Sequence, residues 1–166
     1  MIVALVEGDG DKRSLPVLVT RESQQAALRC IDMKGKPNIV RQDGGFEDTI
    51  RRQHALGGRS FMVAVDSDVF YPPYQSLEQE REQLLLRAQA LAEELAITIQ
   101  VRWAVLALES WLIGGLQTKA SYCGLQRIGQ IPANTETAPA DPKQWLKDHL
   151  RVDYEPRTQE CLAKNI

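Results

Sequence analysis

A chain of 166 residues, 43% hydrophobic and 25% charged, has the apolar content of one soluble domain with a core of its own. Its formal net charge of −2 excludes a protein that holds nucleic acid through a global basic field, though not an enzyme that meets phosphate through a metal. Cys30, Cys123 and Cys161 are far apart, odd in number and without a C-x-x-C pair, which argues against a disulfide framework or zinc site and for a reducing cytoplasm.

The first residues are apolar for only a few positions and then turn acidic, a pattern of neither a signal peptide nor a membrane anchor. Residues 2–6 form a continuous apolar run and predict a short buried strand. A helix is expected from Asp11, where Leu15, Leu18 and Val19 recur at helical spacing and Pro16 fits if it lies in the first turn. Gly35 to Pro37 break that pattern, and residues 38–41 predict a second strand. Gly44-Gly45 precede a helical stretch, residues 46–56, that Gly57-Gly58 closes.

Residues 61–65 predict the next strand, which runs into Asp66-Ser67-Asp68. The longest helical signal covers residues 76–95, with Leu77, Leu84, Leu85, Ala88, Leu91, Ala92 and Leu95 along one face. Ser76 with Gln79 resembles a capping box at its start. A strand over residues 97–106 leads into Glu109-Ser110-Trp111. Residues 130–142, rich in Pro, Ala, Thr and Asn, predict a loop, and two helices follow at 142–150 and 156–165. Strands alternating with helices indicate an α/β class with a mostly parallel central sheet flanked by helices. We divide this single domain into a core of about residues 1–116 and a helical extension of about 117–166.

Ligands of parallel sheets gather outside the carboxyl ends of the strands. Three such ends carry acids here: Glu7 with Asp9 and Asp11, Asp66 with Asp68, and Glu109. Carboxylates brought together repel and raise one another's pKa unless a cation neutralises them. Oxygen ligands suit Mg²⁺, which assists in-line displacement at phosphorus. Each acid also has a plainer reading: a lone D-x-D is common, Asp9-Gly10 is a turn dipeptide, and Glu109 suits a helix start. The conjunction of three acidic strand ends outweighs these readings.

Other phosphate and acid motifs fail on spacing. Gly8 and Gly10 lack the continuation of a P-loop and the third glycine of a dinucleotide fingerprint. A haloacid-dehalogenase-type phosphatase would carry its D-x-D after the first strand. A receiver domain would place a Lys where this chain has Glu109 and Trp111.

E-G-x-x-D after the first strand, Glu7-Gly8-Asp9-Gly10-Asp11, followed by Asp66-Ser67-Asp68 after a later one, resembles a Toprim domain. That Rossmann-like, metal-binding fold is shared by topoisomerases, primases, small ribosomal-RNA maturases and the OLD (overcoming lysogenization defect) nucleases. Glu109-Ser110-Trp111 is similar to a small stand-alone bacterial Toprim-like family. The resemblance covers about the first two-thirds of the chain. It implies Glu7 as general acid or base with Asp11 in support, Asp66, Asp68 and Glu109 as ligands of Mg²⁺ or Mn²⁺, and Gly8 as a close-approach glycine. Lys12 and Arg13 would touch a substrate phosphate.

The implied activity is that of a metal-dependent nuclease on DNA or RNA, cytoplasmic and without a membrane partner, in bacterial defence. The implied alternative is a degenerate interaction module that partners an ATPase, another subunit or its own copies. Val69-Phe70-Tyr71-Pro72-Pro73-Tyr74 lacks the further acid and Gly-Glu of topoisomerase-type members, which argues against strand passage. The chain ends soon after Pro156, early for the stand-alone family, so a terminal element is expected to be missing or supplied by a partner. Tyr71 and Tyr74, beside the D-x-D, are candidates for a nucleotide contact, whereas Trp103 and Trp111 suit a core. Arg51, Arg52 and Arg59 suit an ordinary charged helix face, and His54 and His149 have no zinc spacing.

Overall fold

The computed structural model describes residues 1–22, 27–104, 108–115, 132, 134–135, 139–149 and 155–165. Its centre is a four-stranded, all-parallel sheet in the order β2-β1-β3-β4, made of β1 (Ile2–Val6), β2 (Leu28–Asp32), β3 (Ser60–Asp66) and β4 (Thr98–Ala104). With helices on both faces this is an α/β, Rossmann-like arrangement. The apolar run of β1 is continuous because both of its faces are covered.

Val3 and Leu5 face one core together with Phe61, Val63 and Val65 of β3. That core is filled by Ile39 and Val40 of α2 (Pro37–Val40), Phe46 and Ile50 of α3 (Phe46–Ala55), and Leu84, Ala88 and Leu91 of α4 (Leu77–Leu95). Ala4 and Val6 face the opposite side, where Leu15 and Val19 of α1 (Asp9–Glu22) and Trp111 of α5 (Leu108–Gly115) pack. Two further helices, α6 (Pro142–His149) and α7 (Pro156–Asn165), dock on this second side, α6 against α5 and α7 against α1 and α5.

This arrangement determines where a ligand can sit. From β1 the chain reaches β2 through α1 on one face, and from β2 it reaches β3 through α2 and α3 on the other. The strand order therefore reverses between β1 and β3, and a crevice opens outside their carboxyl ends.

Three local expectations are corrected. The second strand is Leu28–Asp32, and residues 38–40 belong to α2. β2 is an edge strand of mixed polarity, so its sequence shows no apolar run. In α2, Pro37 at the first helical position presets the backbone, and Asn38 Nδ2 donates to the Met33 carbonyl at 2.8 Å. The first helix begins at Asp9, so Pro16 lies in its interior, where it withholds one backbone donor. The third correction concerns cysteine. Cys161 is disulfide-bonded while Cys30 is free, contrary to an expectation built on spacing alone. Cys123 lies outside the described residues.

Elsewhere the expected elements are found within a residue or two. Ser76 is the N-cap of α4, its hydroxyl accepting from the Gln79 N–H at 3.2 Å. The end of the expected fourth strand, residues 105–106, and part of the expected loop at 130–142 lie outside the described residues. Tyr74 is buried, and its hydroxyl donates to the Val40 carbonyl at 2.7 Å, so it serves the core and not a nucleotide. Trp103 packs at the margin of the first core, with the Arg81 guanidinium over its ring. Among the described residues no helix is long and apolar enough to cross a membrane.

Candidate functional site

At the crevice between β1 and β3, one cavity of about 320 Å³ brings together Glu7, Asp11, Asp66 and Glu109, with Lys143 and Gln159 entering from the far side. Glu7 follows the last residue of β1, and Asp66 is the last residue of β3. Parallel pairing of these neighbouring strands is what sets the two acids side by side. Glu7 Oε1 accepts from the Asp66 backbone N–H at 2.7 Å, which ties the two strand ends together. Asp11 stands in the first turn of α1, where the helix dipole favours a negative charge. Its Oδ2 accepts from the Gly8 N–H at 3.2 Å, and its Oδ1 accepts from Gln159 Nε2 of α7 at 3.2 Å.

Asp66 and Glu109 are 6% and 3% exposed, so their charges have little water to rely on. Lys143 of α6 donates to Asp66 Oδ2 at 3.3 Å. The cap that places this lysine is legible in structure: Asp141 Oδ1 accepts from the Gln144 N–H at 2.8 Å, and its carbonyl accepts from Trp145 at 3.0 Å.

Burial pushes the Glu7 carboxyl up to about 8, reinforced by the charges of Asp66 and Asp11 and opposed by the Asp66 N–H and Lys36. Burial likewise raises Glu109 to about 7, against the pull of Lys143. Asp11 is raised by burial despite its bonds from Gln159 and Gly8. For Lys143, burial acts to weaken the proton's hold, but Glu109 and Asp66 overcome it and keep the ammonium above the usual lysine range.

The residues expected from sequence divide into two groups. Glu7, Gly8, Asp11, Asp66 and Glu109 line the cavity. Glu109 does so from the first turn of α5. Asp68 does not line it. Its side chain is 43% exposed, its Oδ1 accepts from the Val69 N–H at 2.7 Å and lies 3.8 Å from Lys36 Nζ, and it borders a neighbouring cavity with Lys143 and Lys147.

Lys12 and Arg13 also lie outside the cavity lining. Lys12 is exposed, and Arg13 Nε donates to Asp9 at 2.7 Å. Among the described residues, a Cβ at Gly8 would meet no atom within 4 Å, so their packing does not itself demand a glycine there. Gly10 is different: a Cβ there would stand 1.9 Å from Gln159 Oε1.

Two functional contributions escaped the sequence. Lys143 and Gln159 belong to C-terminal helices whose docking no local pattern announces; only the Asp141-Pro142 helix start hinted at the first. The second is a buried pair beneath the D-x-D loop. Lys36 is 3% exposed and its Nζ lies 3.0 Å from Glu80 Oε1, while Glu80 Oε2 accepts from the Tyr71 N–H at 2.8 Å. Lys36 also donates to the Val69 carbonyl. This pair holds the segment that carries Asp68.

Among the described residues, no three His, Cys, Asp or Glu side chains are arranged to hold a metal ion. The four acids nevertheless offer oxygen donors, the kind a hard divalent cation takes.

No family model, curated protein or solved structure matches this chain.

Proposed function

We propose that the chain is a Toprim-like phosphotransfer enzyme, dependent on Mg²⁺ or Mn²⁺ and acting as a nuclease on the phosphodiester bonds of DNA or RNA. The observation that carries this reading is the meeting of Glu7, Asp11, Asp66 and Glu109, from three separate parts of the chain, in one cavity at the β1/β3 crevice. Asp66 and Glu109 would hold the metal, with Asp68 at the margin. When bound, the ion would polarise a phosphoryl oxygen and lower the pKa of a water.

The chain's own groups have separate tasks. Glu7 Oε1 is committed to the Asp66 N–H, which leaves Oε2 to hold or pass the proton at the scissile oxygen. Asp11, fixed between Gly8 and Gln159, keeps the approach to Glu7 negative and ordered. A nucleic-acid partner and a role in bacterial defence belong to this proposal, as does a cytoplasmic site of action. The disulfide at Cys161 is the observation that weighs against the last.

The second reading is a non-catalytic module that partners an ATPase or another subunit. Labelled single- and double-stranded DNA and RNA, incubated with the protein and Mn²⁺, separate the two. The enzyme reading expects metal-dependent cleavage that falls at least about 100-fold in Glu7→Gln, the size of a general acid–base contribution. Equal background in wild type and Glu7→Gln, with no metal dependence, supports the module.

A further inference from the structure

Lys143 reaches the acidic cavity from α6, and it bonds the acid that the metal reading makes central. Its Nζ lies 3.3 Å from Asp66 Oδ2. The Asp66 side chain is 8% exposed whereas that of Lys143 is 47% exposed. The carboxylate is thus shut in, while the lysine side chain is half exposed and also lines the cavity it shares with Asp68 and Lys147. An ion pair with one solvent-exposed partner exchanges more readily than one with both partners buried. An ammonium and a divalent ion on the same carboxylate would also be two cations within about 4 Å of each other, which repel strongly at low dielectric.

We propose that Lys143 is a tethered counter-cation: its ammonium neutralises Asp66 in the metal-free chain, and a divalent ion enters the site only by displacing it. The proposal rests on the metal reading above. It makes α6 the element that sets metal affinity, because apparent affinity falls with the fraction of molecules whose site is open. If the pair is in place in about nine molecules of ten, affinity is reduced about tenfold.

The test is calorimetric titration of the full chain with Mn²⁺, comparing wild type with Lys143→Gln, Lys143→Arg and Lys147→Gln. Lys143→Gln is expected to bind about tenfold tighter than wild type, the other two within about twofold of it. Equal or weaker binding by Lys143→Gln overturns the displacement and leaves the metal reading standing. An equal gain from Lys147→Gln would show a general field effect and overturns it as well. No binding heat in any of the four at millimolar Mn²⁺ removes the metal reading, and the displacement with it. Should Lys143→Gln not fold, Mg²⁺ added to wild type labelled at the lysine Nζ must shift the Lys143 resonance, and a resonance that stays in place overturns the proposal.

Discussion

Glu7 carries a carboxyl raised to about 8 by burial first and by Asp66 and Asp11 after it, and Glu109 one raised to about 7. Both exceed the ordinary value of 4.5, so between pH 4.5 and these values the folded chain holds protons that the unfolded chain has lost. Stability from these groups is present in full below pH 4.5 and is lost as pH rises through about 7 and about 8. The metal-free protein is therefore expected to melt several degrees lower at about pH 8.5 than at about pH 5.5, with each kcal/mol worth about 2–4 °C at this size. Glu7→Gln, uncharged throughout, should flatten most of that slope, and a slope unchanged in the variant would show that Glu7 does not titrate in this range. At this scale Glu7, Asp11, Asp66 and Glu109 were legible because apolar runs ending in acids mark the carboxyl edge of a parallel sheet. Asp68 was legible as a motif but not in its direction, since its carboxylate turns to Val69 and Lys36.

Between the residues and the fold stand the contacts that hold one element to another, and the Lys36–Glu80 pair is the most deeply buried of those described here. Glu80 is 0% exposed, and its Oε1 meets the ammonium as a charge without an aligned hydrogen bond. Removing one partner strands the other: Glu80→Ala leaves the Lys36 ammonium in the interior and the Tyr71 N–H unmet, at a cost of about 3–5 kcal/mol. Replacing both, as Lys36→Met with Glu80→Leu, should recover the part of the loss that comes from the stranded ammonium, while the Tyr71 N–H stays unmet. Urea unfolding of the single and double variants measures both effects; a double variant as unstable as Glu80→Ala would mean that the loop depends on the charges themselves. None of this was visible locally. Glu80 reads as one more polar residue on a charged helix, and Lys36 as part of a turn. The same limit hid β2, whose Arg29 suits an edge strand but breaks the apolar pattern that betrayed β1 and β3.

At the scale of the whole molecule the sheet and the last two helices differ in how they are held. β1 is paired on both sides and covered on both faces, so it opens only when the core opens. α6 and α7 dock from outside on α5 and α1, through Leu146, Leu162 and Ala163 among their buried residues. Units of this kind separate at a lower free energy than the core that carries them. Two C-terminal contacts of the cavity, Lys143 on Asp66 and Gln159 on Asp11, would leave together in such an opening. Native-state hydrogen exchange is expected to show the amides of Leu146 and Leu162 opening at a lower free energy than those of Leu5 and Val63. Because Cys161 of α7 is disulfide-bonded, reductant should speed exchange in α7 and leave β1 and β3 unchanged. If all four amides exchange through one transition, the helices and the sheet are a single cooperative unit. Access to the acids would then have to come from side-chain motion of Lys143 alone.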